Sequence, residues 1–322
     1  MSHLLRCEIT PSASLSPALD DFLADAQLRG LSPKTVEWYR YALGPFLQWL
    51  NERDCHSADD LKEATIRQFL ASRDGVGARR LNHYREAIDR FCQWLVRTGD
   101  LTANPTAGIG KIREPRKLVP TFTEEELQAL LSKPDRRTLL GQRDHLFMLL
   151  LLDTGVRLSE ALSLTLDDLD LTRGTLRVMG KGNRERVAGF SPVLERHLRK
   201  YLQSRRQVLG QNGYGNCQWL FPSNVAGKCT AKALQMRLKL YAQQAQIRRV
   251  RVSPHTFRHT FALYFVRNGG SPFHLQKILG HTSLDMSRRY CELADVDFLT
   301  KQRELSPLAA GSVNLTDGGR LR

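Results

Sequence analysis

Residues 32–50 read SPKTVEWYRYALGPFLQWL. Val36, Tyr39, Leu43, Phe46 and Leu50 recur at spacings of 3, 4, 3 and 4, which places them on one face of an α-helix. Ser32 and Pro33 supply its start, because a hydroxyl can accept from an orphan N–H and proline is pre-organised for a first helical turn. Leu81, Tyr84, Ile88, Phe91 and Leu95 repeat the pattern, and a shorter helix is expected around Leu61–Leu70. The whole stretch from Leu15 to Gly99 reads as four helices packed as a small bundle.

After Asp100 the chain changes to TANPTAGIGKIREPRKLVP, with Pro105, Pro115 and Pro120 and a basic cluster of Lys111, Arg113, Arg116 and Lys117. This reads as an interdomain linker. Fully extended, residues 105–120 would reach about 55 Å, more than the width of a DNA duplex. The second domain opens on TFTEEEL, where Thr123 and Glu126 have the spacing of a capping box. Helices dominate from there. The exception is GTLRVMGKGNRERVAGF, whose β-branched residues flank the turn-prone Gly180-Lys181-Gly182-Asn183 and predict a hairpin. The expected architecture is therefore mainly α in two domains: residues 1–104 a helical bundle, 105–120 the linker, 121–305 a mostly helical domain with a small antiparallel sheet, and 306–322 a loose tail. No repeat of 20–50 residues is present in the sequence.

The 322 residues carry 48 Lys and Arg against 33 Asp and Glu, a formal net charge of +15. Such a surplus repels itself unless it meets a polyanion, so nucleic acid is the first partner to expect. No uninterrupted apolar run approaches the roughly 18 residues of a membrane span, and the opening MSHLLRCEITPSAS holds too short an apolar run for a signal peptide. Cys7, Cys55, Cys92, Cys217, Cys229 and Cys291 are far apart and form no C-x-x-C pair. They read as reduced thiols of a cytoplasmic protein rather than as a zinc site or disulfide framework.

Five segments of the second domain hold unusual combinations: TGVRLSE with Arg157, MGKGN with Lys181, SPHTFRHTF with His255 and Arg258, LGHTSL with His281, and SRRYCEL with Tyr290. Each alone has a plainer reading. Arg157 sits in the apolar LLLLDTGVRLSEAL, where a guanidinium needs an anion, and a structural ion pair with Glu160 at i+3 would serve as well as a ligand. Lys181 can be a solvated lysine, His255 a cap with Arg258 at the surface, His281 a helix-end contact, and Tyr290 one more core aromatic.

Together, in this order and at these intervals, the six resemble the active site of the tyrosine recombinase, or phage integrase, family. GLSPKTVEWY and FLQWL resemble its N-terminal SAM-like core-binding domain. TGVRLSEALSLTLDDLDL, GKGNRERV, SPHTFRHTFA and LGHTSLDMSRRY resemble the boxes of its catalytic domain. The short first domain without a separate arm-binding domain is more similar to Xer or simple transposon recombinases than to lambda integrase. The resemblance implies a site-specific recombinase working in integration, excision or resolution of DNA, with Arg157, Lys181, His255, Arg258, His281 and Tyr290 as catalytic residues and Glu160 behind them. It implies a 3′-phosphotyrosine intermediate and a free 5′-hydroxyl, with no ATP, metal or other cofactor. Its partners would be duplex DNA with inverted half-sites and further copies of the chain, two on a site and four in a synapse, with VDFLTKQRELSPL (296–308) as a helix exchanged between subunits.

Elementary chemistry agrees. A phosphodiester gains negative charge in the displacement transition state, so catalysis is mainly positioning and charge stabilisation, which two guanidinium groups assisted by His281 can supply. A phenol near pKa 10 is about one part in a thousand ionised at pH 7, so Tyr290 needs cationic neighbours or a base such as His255. The departing deoxyribose hydroxyl needs a proton, and Lys181 on a mobile turn is the candidate acid.

Three other readings compete. Asp167, Asp168 and Asp170 could form a metal-binding cluster of the two-metal nuclease kind, although a local run before a strand is more simply turn chemistry. A non-catalytic DNA-binding accessory or regulatory protein would account for the charge and the bundle, but gives no use to a tyrosine opposite two arginines. A monomeric relaxing topoisomerase would share the chemistry. Base reading is expected from the first domain, where Lys34, Arg40, Arg79 and Arg80 lie off the apolar stripes; a solvated basic face explains them equally well.

Overall fold

The computed structural model describes residues 15–114, 119–180, 185–280 and 284–294. The chain divides into two compact units, Met1–Lys117 and Leu118–Arg322.

The first unit is a four-helix bundle: α1 (Leu15–Leu28), α2 (Pro33–Asn51), α3 (Glu63–Ala71) and α4 (Ala78–Thr98). Ser32 Oγ accepts from the Thr35 N–H and Pro33 occupies the first turn of α2, the start that the sequence predicts. The stripe Val36, Tyr39, Leu43, Phe46 and Leu50 is buried, and so are Tyr84, Ile88, Phe91 and Leu95 on α4. They meet Phe22 of α1 and Ile66 and Phe69 of α3 in one core. Edge-on ring contacts such as Phe22–Phe91 and Phe69–Tyr84 fill it, and each buried large side chain contributes about 2 kcal/mol of transfer free energy. Residues 105–114, read from sequence as linker, are folded against this bundle. Asn82 exchanges two hydrogen bonds with the Ile112 backbone, Arg85 donates to the Ile109 carbonyl, and Ile109 is itself buried. The reach of a fully extended segment does not apply to these residues.

The second unit begins with α5 (Glu124–Leu131), whose capping box is made as predicted: Thr123 Oγ1 accepts from Glu126 N–H and Glu126 Oε2 from Thr123 N–H. α6 (Leu139–Thr154) is the central helix and packs against the later helices α8 and α10, which is why even Arg143, Asp144 and His145 on it are buried beside its leucines. After α7 (Leu158–Ser163) come β1 (Leu169–Asp170), β2 (Thr175–Met179) and β3 (Glu185–Gly189), an antiparallel sheet in the order β1-β2-β3. The predicted hairpin is β2–β3, paired from Thr175 with Gly189 to Met179 with Glu185; its turn, with Lys181, lies outside the described residues. β1 is too short to show an alternation of its own. Leu176, Val178 and Ala188 face the core. Then follow α8 (Pro192–Gln211), α9 (Ala231–Gln244), α10 (Pro254–Arg267), α11 (Pro272–Leu279) and α12 (Asp285–Leu293). The last three share a separate apolar cluster that includes Leu263, Leu275, Leu279 and Tyr290. The tail and the segment 296–308 lie outside the described residues.

Candidate active site

The site assembles around the C-terminal end of α11. A helix end leaves carbonyls without intrahelical partners and carries partial negative charge. Here three successive carbonyls are each taken by an arginine from a different element: Ile278 by Arg186 Nε at 3.0 Å, Leu279 by Arg258 Nη2 at 2.6 Å, and Gly280 by Arg157 Nη2 at 3.3 Å. The sequence-predicted pair Arg157 and Arg258 is thus brought together from segments 101 residues apart.

Arg157 is delivered by a tight junction. α6 ends at Gly155, whose φ of +62° is the left-handed cap that glycine accepts without strain. Arg157 then starts α7, with Glu160 three residues on returning Oε2 to the Arg157 N–H at 2.8 Å and Oε1 to Nη1 at 2.9 Å. The ion pair with Glu160 that the plainer reading of Arg157 expects is therefore present. The pair does not close off the arginine, whose side chain stays 35% exposed while that of Glu160 is 2% exposed. Burial works to raise the Glu160 carboxyl's pKa, but hydrogen bonds from Arg186 and Arg157 prevail and hold it at about 2.

Arg258 rises from the first turns of α10, a helix started by Pro254 and the Ser253 cap. It is buried, donating Nη1 to the Gly155 carbonyl at 2.7 Å. Burial, then repulsion from Arg157, brings its pKa down to about 10, so it remains charged at neutral pH. Among the described residues of this cluster, Arg157, Arg186 and Arg258 stand against the carboxylate of Glu160, an excess of positive charge. Such a cluster can receive a phosphate and the charge that develops on it in a displacement.

Tyr290 on α12 is buried, with its hydroxyl 2.6 Å from Nδ1 of His259. Burial raises the phenol's pKa, while Arg258 and Arg289 act in the opposite direction. His255 is exposed on α10, one turn before His259. The group that meets the phenol in this state is therefore His259, whose pKa burial lowers to about 4, with help from His255 and Arg258, leaving a neutral imidazole at pH 7. Lys181 and His281 lie outside the described residues.

Sequence reasoning missed Arg186 and His259. For Arg186 a signal existed: in a strand of period two it shares a face with Ala188, which points to the core. For His259 the pattern H-x-x-R drew attention to His255, and only the packing of α12 on α10 singles out its neighbour.

The acidic run is turn chemistry. Asp168 accepts from the Thr165 N–H and hydroxyl and pairs with Arg177, and Asp170 accepts from the Thr172 and Arg173 N–H groups. Among the described residues no group of three or more His, Cys, Asp or Glu could hold a metal ion. In the first unit Lys34, Arg40, Arg79 and Arg80 are all exposed. Arg40 lies 3.8 Å from Asp20, and Arg80 donates to the Tyr41 hydroxyl.

Comparison with known proteins covers both units. The Phage integrase family profile matches residues 120–296, and the profile of the Phage integrase N-terminal SAM-like domain matches residues 19–99. Tyrosine recombinase XerC of Xylella fastidiosa (strain M23) is 31% identical over 290 residues, 89% of this chain and 95% of the relative. Tyrosine recombinase XerD of Haemophilus influenzae is 32% identical over 268 residues, 83% of this chain and 89% of the relative. In fold the chain is similar to the XerH site-specific recombinase crystallised in a post-cleavage complex with its difH substrate, with a TM-score of 0.70 at 21% identity over 89% of this chain and 83% of that one. An arginine-lined site opposite a buried tyrosine, a SAM-like bundle ahead of it and relatives aligned along most of their length lead to one assignment: the chain belongs to the phage integrase family, the tyrosine recombinases that carry out site-specific DNA recombination.

Proposed function

We propose that this recombinase cleaves and rejoins duplex DNA through Tyr290, with Arg157 and Arg258 holding the scissile phosphate. The observation that carries the reading is the gathering of both guanidinium groups on adjacent carbonyls of one helix end, with Tyr290 in the electrostatic range of Arg258. In the described state the phenol is covered and held by His259, so attack requires it to leave that pocket. Its oxygen then bonds to phosphorus as the bond to the 5′-oxygen breaks. His255, exposed on the same helix, accepts the phenolic proton, and Lys181 protonates the departing hydroxyl. His281 follows Gly280 directly in the chain and assists in stabilising the phosphoryl oxygens. The product is a 3′-phosphotyrosine and a free 5′-hydroxyl. Attack by the 5′-hydroxyl of a second duplex reverses the same bond changes, so one ester replaces another and no ATP is consumed.

The DNA substrate is a site with inverted half-sites, bound by two copies of the chain and synapsed by four, in the cytoplasm. Structural relatives include a lambda integrase dimer on a core site and a tetramer on a Holliday junction, which supports this assembly. Lys34, Arg40, Arg79 and Arg80 contribute contacts from the first unit.

The test is a nicked suicide duplex carrying a site selected from a random-sequence pool by the full-length protein. The chain should form a covalent adduct whose trapped peptide contains Tyr290. Tyr290→Phe should bind the duplex as tightly and form none. An adduct that survives this substitution, or maps to another residue, removes the assignment.

A further inference from the structure

Arg186 is tied into the arginine cluster and has no part in the reaction just described. Its side chain is only 16% exposed. Nη1 and Nη2 donate to Glu160 Oε1 and Oε2 at 2.9 and 2.8 Å, and Nε donates to the Ile278 carbonyl. A guanidinium with its fork closed on a carboxylate and its Nε on a carbonyl is not presented to a phosphate. Arg157 is the opposite case, more exposed and sharing one side-chain hydrogen bond with Glu160.

The two cases are connected. A carboxylate has about four lone-pair sites. Glu160 receives four donors: the Arg157 N–H, Arg157 Nη1 and both terminal nitrogens of Arg186. Without Arg186, two acceptor sites would open beside Arg157. The i,i+3 pair could then close into a bidentate fork that consumes the donors a phosphate needs. The Ile278 contact adds a second constraint, because the next two carbonyls of the same helix end orient Arg258 and Arg157. A Cβ at Gly280 would lie 3.9 Å from Arg157 Nη1 and also 3.9 Å from Arg186 Nε, so the helix end is seated between these two side chains. We propose that Arg186 is a positioning residue for strand cleavage: by saturating Glu160 and pinning the end of α11, it keeps Arg157 oriented with donors free for the scissile phosphate. This rests on the assignment of Arg157 to that phosphate.

The test compares full-length Arg186→Met, Arg186→Lys, Arg157→Lys and the double variant Arg157→Lys/Arg186→Met on the selected nicked duplex, reading single-turnover adduct formation, DNA affinity and thermal unfolding. Arg186→Met should hold DNA within about twofold of the parent, since no phosphate contact is lost, and cleave about a hundredfold more slowly. Arg186→Lys should recover little of this, because an ammonium cannot supply three coplanar donors. It also carries the comparison should the methionine variant melt below the assay temperature. Removing Arg186 frees the Glu160 carboxyl to titrate higher, and its protonation releases Arg157 from the fork, so the rate deficit of Arg186→Met against the parent should narrow as the pH falls through the acid range; a merely structural role would leave the ratio of the two rates independent of pH. The double variant should cleave no more slowly than Arg157→Lys, because both substitutions disable one device. An unchanged rate in Arg186→Met, a loss that tracks DNA affinity, fully additive losses or a rate ratio that does not change with pH each overturn the proposal. Unimpaired cleavage by Arg157→Lys would instead remove the phosphate assignment itself.

Discussion

Glu160 is the residue on which the cluster turns, because among the described residues it is the carboxylate set against three guanidinium groups. Its folded pKa of about 2 lies below its unfolded value near 4.5, so the sign of its contribution is fixed. Stabilisation is fully present above about pH 4.5 and is lost as the pH falls toward 2. Glu160→Gln replaces a charged acceptor with an amide whose NH2 faces cations, leaving Arg157 and Arg186 without their counter-charge. It should lower the unfolding free energy at pH 7 by about 3 kcal/mol. Denaturant titrations at a series of pH values should show the gap between parent and variant narrowing below pH 4.5. A gap independent of pH would mean that side-chain packing, and not charge, holds Glu160 in place. The tyrosine is governed by the same local balance. Burial disfavours the phenolate in the described state, and burial also makes the neighbouring His259 imidazole a weak base.

At the scale of elements, the junction between α6 and α7 does the most with the fewest residues. Gly155 turns the chain with a φ of +62°, and its carbonyl holds Arg258. A Cβ at this position would run into the Phe261 ring and stand 2.7 Å from Leu279 Cδ2. Gly155→Ala therefore combines backbone strain with overpacking against α10 and α11, and should cost about 3 kcal/mol of stability. Because the displaced carbonyl and Leu279 both belong to the seat of Arg258, adduct formation should fall even at temperatures where the variant is folded. A variant that melts early but cleaves at the parental rate would separate the junction from the site. Much of this element structure was legible beforehand. The stripes of α2 and α4 follow from apolar spacing, the start of α5 from Thr123 and Glu126, and the hairpin from glycines between β-branched runs. β1 was not legible, because two residues show no period. Arg157 stood out as a guanidinium in an apolar stretch, whereas Arg258 and Tyr290 stood out through the order and spacing that carry the family resemblance. The alternation of β3 marked the inward face of Arg186 but not its partner, and nothing local marked His259, since Glu160 and Tyr290 lie 26 and 31 residues away from them.

For the whole molecule the governing quantity is the net charge of +15, which makes DNA affinity steeply dependent on salt. With six or more phosphates neutralised, the observed association constant should drop by about three orders of magnitude between 50 and 200 mM salt. The exposed cations of the first unit should not share equally in this slope. Arg40 is near Asp20 and Arg80 is engaged with the Tyr41 hydroxyl, so part of their charge or donor capacity is already met. Lys34 and Arg79 are exposed and have no side-chain partner among the described residues, which leaves them the most complete electrostatic contribution to a phosphate. Lys34→Ala and Arg79→Ala should each reduce the magnitude of the log–log salt slope by about one. Arg40→Ala and Arg80→Ala should reduce it by less. All four should form adduct at the parental rate once saturated with DNA, since catalysis is assigned to residues of the second unit. The measurement is a set of binding isotherms at several salt concentrations on the selected duplex and on an unrelated one. Loss confined to the selected duplex would mark a side chain that reads bases; equal loss on both would mark a phosphate contact; an unchanged slope for Lys34→Ala and Arg79→Ala would place this basic face in solvent.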